Sequence, residues 1–248
     1  MAAIQFDFTD TRVLVTGGSN GIGLGIAHAF RDAGADVVIT GTRAAASDYE
    51  HDLDGFEYHS LTLTDNAGID ELAASLDRLD VLVNNAGQNL THRGESDPDV
   101  FAEAVTINLT ATFRLSTGCR PLLAASKLDG GAGIINVGSM SSFFGLSILP
   151  AYGAAKGGVV QLTKGLAVAW ARDGIRVNAV APGLIETNMT RPMLGQEARI
   201  NRTLSRTPMR RCGTPADVAP VVLFLAGPGA RYVTGQTLPI DGGYSVQG

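Results

Sequence analysis

Six short apolar runs, spaced along the whole chain, are the feature of this sequence that most restricts its fold. Valine, isoleucine and leucine dominate these runs without strict alternation, which is the pattern of strands buried on both faces. The runs are RVLVTG (12–17), DVVITG (36–41), DVLVNNAG (80–87), GIINVGS (133–139), RVNAVAPG (176–183) and QTLPIDGG (236–243). Segments with helical character lie between them, at 22–33, about 67–78, 98–125, 152–172 and 215–226. This alternation predicts βαβ crossovers and a doubly wound α/β fold with a parallel sheet.

The composition is that of a folded, mildly acidic protein. Of the 248 residues, 45% are hydrophobic and 17% are charged, and the net charge is −5. That balance disfavours disorder, and it disfavours nucleic acid or an anionic membrane as a partner. The four histidines have no metal-ligand spacing, so we expect no metal site. No linker-like segment interrupts the series, and we interpret residues 1–248 as a single domain.

The cysteines and the N-terminal segment indicate in which cellular compartment the protein is expected. Cys119 and Cys212 lie far apart and form no CxxC motif, which favours a reduced, cytoplasmic protein. The first residues show no basic region followed by an apolar run, so we expect no signal peptide. No stretch approaches eighteen uncharged apolar residues, so we expect no membrane span.

A glycine-rich turn follows the first predicted strand and leads into a helix. Glycines in such a turn let backbone N–H groups approach a pyrophosphate, and the helix N-terminus adds partial positive charge. The spacing is G-x-x-x-G-x-G, and the lysine that a P-loop requires is missing, so a nucleoside triphosphatase is disfavoured. The predicted cofactor-binding residues of this turn are Gly17, Ser19, Asn20, Gly21, Ile22 and Gly23.

The end of the second strand favours NADP(H) over NAD(H). A dinucleotide site usually carries an acidic residue there, which binds the adenosine ribose. This chain has Thr42 and Arg43 instead, and both could bind a 2′-phosphate. Asn20 adds no positive charge inside the glycine turn, so the preference is expected to be mild and NAD(H) stays open.

Several motifs together resemble the classical short-chain dehydrogenases/reductases. They are TGGSNGIG (16–23), NNAG (84–87), Asn108, Ser139, Tyr152-x-x-x-Lys156 and PGLIET (182–187), in that order. The resemblance runs from about Arg12 to Gly243. It implies a single-domain Rossmann-type doubly wound parallel sheet flanked by helices, which serves as both dinucleotide-binding and catalytic domain. It also implies reversible hydride transfer between NAD(P)(H) and a ketone or secondary alcohol.

Tyr152 and Lys156 form the predicted catalytic pair. Residues four apart share one face of a helix, and an adjacent ammonium is expected to lower the pKa of the phenol. Tyr152 could then act as general acid or base. Ser139 follows a strand at the carboxyl edge of the sheet, where its hydroxyl could donate to the substrate carbonyl. The resemblance further implies that Asn108 holds a water that links Lys156 to solvent.

The resemblance also extends the cofactor site. It implies that Asn84 and Asn85 stabilise the sheet, and that Lys156 binds the nicotinamide ribose beside Tyr152. Leu63 would face the adenine, where Thr62 replaces the acidic residue that many relatives carry. The further implied cofactor residues are Leu63, Asn85, Ala86, Gly87, Pro182, Gly183, Ile185 and Thr187.

The predicted substrate pocket is mainly apolar, which favours an apolar or cyclic ketone. Its predicted lining residues are Gln88, Met140, Phe143, Leu149, Leu184, Met189 and Met193. Residues 184–212 follow a strand and are interpreted as a lid over this pocket. Six arginines give this segment a positive charge that could bind an acidic carrier protein, so a 3-oxoacyl-(acyl-carrier-protein) reductase stays open as an alternative. A non-catalytic dinucleotide sensor is disfavoured because both Tyr152 and Lys156 are present.

The helix that carries the catalytic pair is unusually rich in glycine. Gly153, Gly157 and Gly158 each cost a helix about 1 kcal/mol relative to alanine. We therefore predict that they allow the close approach of a partner subunit. The resemblance implies a homotetramer or homodimer formed through helices 98–125 and 152–172.

Overall fold

A parallel sheet forms the centre of the molecule, as the sequence predicts. The computed structural model describes residues 5–247, apart from the side chains of Pro192, Met193 and Arg199. Within that part of the chain seven strands form one sheet in the order β3-β2-β1-β4-β5-β6-β7, and every neighbouring pair is parallel. The strands are β1 (Arg12–Val15), β2 (Asp36–Gly41), β3 (Glu57–Ser60), β4 (Val81–Asn84), β5 (Ala132–Val137), β6 (Ile175–Pro182) and β7 (Thr237–Ile240).

Helices cover both faces of the sheet, which confirms the doubly wound α/β prediction. They are α1 (Gly21–Asp32), α2 (Asn66–Ser75), α3 (Pro98–Val105), α4 (Ala111–Ala125), α5 (Pro150–Trp170), α6 (Arg191–Leu194), α7 (Glu197–Arg206) and α8 (Pro215–Ala226). Helices α1 and α8 pack on one face, and α2, α4 and α5 pack on the other. Alternate strand residues supply the two apolar cores, so Val13 and Val15 face α1 whereas Leu14 faces α2 and α4. None of these helices is long and apolar enough to cross a membrane.

The edge strand β3 is absent from the six apolar runs that the sequence shows. Its residues, EYHS, do not form an apolar run. They are half-buried or exposed, because an edge strand has a neighbouring strand on one side only. Arg12 connects this edge to the sheet, since its guanidinium forms ion pairs with Asp36 and Glu57. Because β3 is polar, a pattern of buried apolar residues does not predict it.

The predicted helix over 98–125 is divided. Between α3 and α4 the backbone forms one π-helical turn, Thr106–Thr110. Such turns widen a helix locally and are frequent at functional sites. Asn108 lies within this turn and is fully buried, so the interruption occurs at the residue for which the sequence predicts a role.

A buried polar network holds the central strands to the helices below the carboxyl edge of the sheet. Asn84 Nδ2 donates to Ser116 Oγ of α4 at 3.0 Å and to Asn136 Oδ1 of β5 at 2.9 Å. Asn136 Nδ2 donates in turn to Thr163 Oγ1 of α5 at 2.9 Å. Buried polar groups need such partners, and the network therefore fixes α4 and α5 relative to β4 and β5.

The glycines at the start of α5 have neighbours within the chain, but only Gly158 is packed so tightly that a side chain would collide. A Cβ on Gly153 would lie 3.4 Å from the Ser141 carbonyl oxygen, and one on Gly157 would lie 3.7 Å from that of Ser142. On Gly158 it would lie 2.6 Å from Cδ2 of Leu109. Ser142 Oγ also donates to the Lys156 carbonyl at 2.9 Å, which seats α5 against the turn after β5. The tight contact at Gly158 is therefore intramolecular, and the approach of a partner subunit at Gly153 and Gly157 stays a prediction.

Candidate active site

The predicted functional motifs converge at the carboxyl edge of the sheet. The glycine-rich turn follows β1, NNAG begins in β4, Ser139 follows β5 and PGLIET begins in β6. Tyr152 and Lys156 lie in the first two turns of α5, which packs on the turn after β5. Ligands bind at this edge in open α/β sheets, so the topology gathers the candidate residues in one place.

The glycine-rich turn has the geometry that a pyrophosphate site requires. Gly17 and Gly21 adopt φ angles of +64° and +55°, a region in which side chains are strained. Asn85 Nδ2 donates to the Thr16 carbonyl at 2.9 Å, and Thr40 Oγ1 accepts from the Gly17 N–H at 3.1 Å. The turn is therefore fixed by its neighbours on both sides.

Helix α1 begins directly after this turn. Asn20 precedes the helix and is exposed, Ile22 is half-buried and Gly23 is buried in the first helical turn. The first turn carries no acidic residue, so its positive N-terminal dipole is not neutralised. Free N–H groups and a bare glycine surface fit the pyrophosphate of a dinucleotide.

Arg43 lies beside two tyrosines at the end of β2. Its guanidinium carbon lies 4.8 Å from the centre of the Tyr49 ring, its N–H donates to Tyr49 Oη at 3.1 Å, and Tyr58 Oη donates to its carbonyl at 2.5 Å. Ser19 is buried and its hydroxyl forms a hydrogen bond with Tyr49. Burial opposes ionisation of Tyr49, but hydrogen bonds from Ser19, Tyr58, the Arg43 N–H and Thr42 together lower its pKa to about 8. Arg43 and Thr42 themselves are exposed.

Gly87, Asn108 and Lys156 meet at one point. A Cβ on Gly87 would lie 2.5 Å from Asn108 Oδ1 and 3.3 Å from Lys156 Nζ. The Asn108 side chain exchanges two hydrogen bonds with Gln88, since Oδ1 accepts from its N–H at 3.1 Å and Nδ2 donates to its carbonyl at 2.9 Å. The π-helical turn and the loop after β4 are thus joined beside the lysine.

Lys156 is almost completely buried, with 3% of its surface exposed. Its ammonium donates to the carbonyl oxygen of Val137, the last residue of β5, at 2.7 Å. Burial disfavours the charged form and lowers the pKa of Lys156 to about 8. A proton can therefore leave this lysine near neutral pH more readily than it leaves a solvated one.

Tyr152 lies beside this lysine, but its acidity differs from our expectation. Burial of the phenol raises the pKa of Tyr152 to about 12, a hydrogen bond with Ser139 lowers it in part, and the charge of Glu95 raises it again. Lys156 Nζ lies 5.7 Å from the centre of the tyrosine ring. In the protein alone, desolvation is the largest cause and sets the direction of the Tyr152 pKa, which is opposite to the lowering expected from the adjacent ammonium.

The turn after β6 lies next to the glycine-rich turn. A Cβ on Gly21 would lie 3.4 Å from Thr187 Cγ2, so the two predicted cofactor segments are in close proximity. Thr190 Oγ1 donates to the Ile185 carbonyl at 2.6 Å and accepts from the Thr187 N–H at 3.0 Å, which holds this turn in shape. Ile185 itself is buried, with 3% of its surface exposed.

The remaining cofactor residues border the same edge. Pro182 ends β6, and the N–H of Gly183 donates to the Ile240 carbonyl at 2.9 Å. The Ala86 N–H donates to Thr16 Oγ1 at 3.0 Å, which holds NNAG against the first strand. Leu63 is half-buried and packs beside two apolar clusters, and its contact with the adenine stays a prediction.

The predicted substrate residues divide between two segments. Met140 and Leu149 are half-buried on either side of the loop that joins β5 to α5, and Phe143 in this loop is 45% exposed. Leu184 is half-buried and Met189 is 48% exposed in the segment after β6. Gln88 is exposed and reaches the site through its backbone bonds to Asn108. The side chain of Met193 lies outside the described residues.

Glu95 contacts the candidate site, and the sequence did not predict this. It is 3% exposed and accepts a hydrogen bond from the Tyr152 N–H at 2.9 Å. The residue stands in GESDPD, a polar stretch that is typical of a surface loop. Its burial follows from tertiary packing, and no local pattern in the sequence signals it.

Comparisons with known proteins identify the family. Residues 17–245 match the family model described as enoyl-(acyl carrier protein) reductase. The chain is 36% identical over 241 residues to galactitol 2-dehydrogenase (L-tagatose-forming) from Cereibacter sphaeroides, with 94% of each chain covered. It is 39% identical over 239 residues to a 3-oxoacyl-[acyl-carrier-protein] reductase from Vibrio cholerae, with 93% of this chain and 95% of that protein covered.

Solved structures agree with this relationship. A gluconate 5-dehydrogenase from Burkholderia cenocepacia, in complex with NADP and tartrate, has a TM-score of 0.85 and 30% identity, with 98% of each chain covered. The chain belongs to the short-chain dehydrogenase/reductase family and is an NAD(P)-dependent oxidoreductase that acts on CH–OH groups. Several similar structures contain NADP, which supports NADP(H) as the cofactor and leaves NAD(H) open.

The meeting point of Gly87, Asn108 and Lys156 gives a first prediction. In Gly87→Ala the added methyl group would displace the Asn108 side chain and crowd the ammonium. We expect kcat to fall about tenfold or more, because small displacements of reacting groups lower rates strongly. Gly145→Ala is the matched control, since a Cβ there meets no described atom within 4 Å. Steady-state kinetics checks this, and an unchanged kcat in Gly87→Ala would contradict the described packing.

Proposed function

We propose that this protein transfers a hydride reversibly between NADP(H) and a ketone or its secondary alcohol, with Tyr152, Ser139, Lys156 and Asn108 as its catalytic machinery. The observation that carries the proposal is the Tyr152 phenol, which is hydrogen-bonded to Ser139 beside the buried Lys156. A proton donor and a hydroxyl thus face one position at the edge of the sheet, where a carbonyl oxygen can bind to both.

The protein groups have separate tasks in this reaction. Ser139 Oγ accepts from the Ser141 N–H at 3.2 Å, which orients its hydroxyl so that it can donate to the substrate oxygen. Tyr152 donates its proton to that oxygen as negative charge develops, and takes a proton from the alcohol in the reverse direction. The nicotinamide, when bound, supplies or accepts the hydride. A raised phenol pKa keeps Tyr152 protonated at neutral pH, which suits ketone reduction.

Lys156 and Asn108 return the proton that Tyr152 loses. The lowered pKa of Lys156 makes its ammonium a ready proton source near pH 8. Asn108 holds the loop after β4 in place near Nζ through its two bonds with Gln88. The π-helical turn that contains Asn108 supports a water site in this position, as the family resemblance implies.

Arg43 and its neighbours favour NADP(H). A guanidinium that is stacked on Tyr49 and exposed to solvent is well placed to bind a 2′-phosphate, and Thr42 adds a hydroxyl. The remaining cofactor contacts are those predicted from the sequence, from the glycine-rich turn to Thr187.

The exposed apolar side chains support an apolar or cyclic ketone as substrate. Phe143 and Met189 are nearly half exposed on the two segments that flank the site. Residues 184–212 act as the lid of a single catalytic domain. The Arg206 side chain of α7 lies 4.5 Å from the Tyr244 ring and 5.5 Å from the Phe144 ring, which places the end of the lid against the loop that follows Ser139.

A 3-oxoacyl-(acyl-carrier-protein) reductase is the second candidate, and the similarity to the Vibrio cholerae enzyme favours it. An acidic carrier would need free positive charge near the lid. Of the lid arginines, Arg211 is paired with Asp217, whereas Arg210 binds the Ser205 carbonyl, Arg206 stacks on two rings, and both keep their positive charge. The exposed apolar side chains Phe143 and Met189 favour the small-molecule ketone, which is the preferred proposal.

Assembly and compartment follow as part of the proposal. The segment from Pro98 to Ala125 and helix α5 carry exposed apolar side chains that a partner subunit could cover, which supports a homotetramer or homodimer. These side chains are Phe101, Phe113 and Val168.

Cys119 and Cys212 are both free and buried, which supports a reduced, cytoplasmic environment.

Replacement of Tyr152 by phenylalanine tests the proposed reaction. A screen of ketones, polyols and 3-oxoacyl thioesters, followed by nicotinamide absorbance, first identifies a substrate. We then expect Tyr152→Phe to lower kcat about 100-fold or more, because the phenol proton is lost. NADPH affinity, measured by fluorescence, is expected to stay within a factor of about two. Tyr232→Phe removes a fully exposed hydroxyl and is the matched control. Near wild-type turnover by Tyr152→Phe would refute the mechanism.

Replacement of Arg43 by alanine tests the cofactor preference. Loss of a charge-assisted contact to the 2′-phosphate is expected to lower the ratio of kcat/KM for NADPH to that for NADH about tenfold or more. Arg78→Ala is the control, because Arg78 lies at the opposite edge of the sheet and binds the Asp10 carbonyl. If the ratio is the same in wild type and Arg43→Ala, Arg43 does not bind the 2′-phosphate of NADPH.

A further inference from the structure

The start of α5 lacks a cap of its own. The first N–H groups of a helix have no partner within the helix, and a polar residue just before the helix usually accepts from the third position. Here Leu149 precedes the helix and its side chain cannot accept. Pro150 has no N–H, and Tyr152 stands at the third position. The N–H of the proposed acid/base residue is therefore the group that needs an acceptor.

Glu95 provides this acceptor from a distant part of the chain. Its Oε2 accepts from the Tyr152 N–H at 2.9 Å, and its Oε1 accepts from the Leu90 N–H at 2.8 Å. The carboxylate is 3% exposed, and a buried charge is tolerated only when such bonds compensate its desolvation. The positive end of the α5 dipole favours the negative charge further. One carboxylate thus joins α5 to the loop after β4.

Glu95 and Asn108 both bind the loop after β4. Asn108 binds both backbone polar groups of Gln88, and Glu95 binds the N–H of Leu90 two residues later. Leu90 is fully buried in a small apolar cluster with Ala151, the residue before Tyr152. Movement of Glu95 would therefore shift Tyr152 relative to Asn108 and Lys156.

We propose that Glu95 is a positioning residue, whose buried carboxylate fixes the first turn of α5 against the loop after β4 and holds a negative charge at the backbone of Tyr152. This role rests on the proposed function, because it matters only if Tyr152 transfers the proton. The polar and charged groups around Tyr152 are Ser139, which is hydrogen-bonded to the phenol, Lys156 on the same helix, and Glu95, which binds the backbone N–H. Of these, the Glu95 charge opposes phenolate formation, which supports an effect on proton transfer.

The isosteric variant Glu95→Gln separates positioning from simple stabilisation. Glutamine has one acceptor oxygen, so it can keep only one of the two N–H bonds, and it carries no charge. We expect kcat to fall about fivefold or more, while KM for the ketone and the Kd of NADPH stay within about twofold. We also expect the midpoint of the pH profile for alcohol oxidation to move down by about half a unit or more. The direction follows because loss of a nearby negative charge lowers the pKa of a phenol.

Two further variants complete the experiment. Glu71→Gln makes the same chemical change at an exposed position of α2 and is expected to leave rate and pH midpoint unchanged. Glu95→Asp keeps the charge but shortens the side chain, so we expect a lower kcat with a smaller shift of the midpoint. If Glu95→Gln does not fold, Glu95→Asp decides the question, and a wild-type kcat in that variant would overturn the proposal.

The outcomes are distinct from those that test the function itself. A fall in melting temperature with unchanged kcat and pH midpoint in Glu95→Gln would overturn the positioning role and leave a purely structural cap. An unaltered Glu95→Gln beside an inactive Tyr152→Phe overturns only this proposal. Wild-type turnover by Tyr152→Phe overturns the proposed function instead.

Discussion

The bond between the Lys156 ammonium and the Val137 carbonyl is the interaction on which the candidate site depends. A buried charge is unfavourable unless it has polar partners, and this one lies between α5 and the end of the central strand β5. The bond therefore requires that the two elements stay in contact at that position. Ser142 strengthens the same contact, since its hydroxyl donates to the Lys156 carbonyl.

The features around this lysine follow from the need to bring other groups close to it. Gly87 has no side chain where one would collide with Nζ and with Asn108. The π-helical turn places the Asn108 side chain at the same point, while the Asn84 and Asn136 network holds α5 on the sheet beneath it. Burial then changes both ionisable partners, because it lowers the pKa of Lys156 and raises that of Tyr152. Both shifts favour the uncharged form of each side chain, as burial away from water requires.

Local patterns were sufficient to predict the parts of the site that depend on local geometry. The apolar runs predicted the buried strands, and the four-residue spacing predicted that Tyr152 and Lys156 share a helix face. Properties that depend on packing between distant segments could not be predicted in this way. The polar edge strand β3, the burial of Glu95 and the intramolecular neighbours of Gly153, Gly157 and Gly158 are of this kind. The acidity of Tyr152 is another, because its sign depends on how much water the phenol loses.

Titration of Lys156 by NMR tests this account most directly. The chain has only three lysines, Lys127, Lys156 and Lys164, so the side-chain ε carbon signals can be resolved and assigned with the help of Lys156→Arg. Burial against Val137 predicts a pKa for Lys156 of about 8 in the protein alone. A midpoint at about 10.4, the ordinary value for a solvated lysine, would show that the ammonium is not buried and would contradict the account.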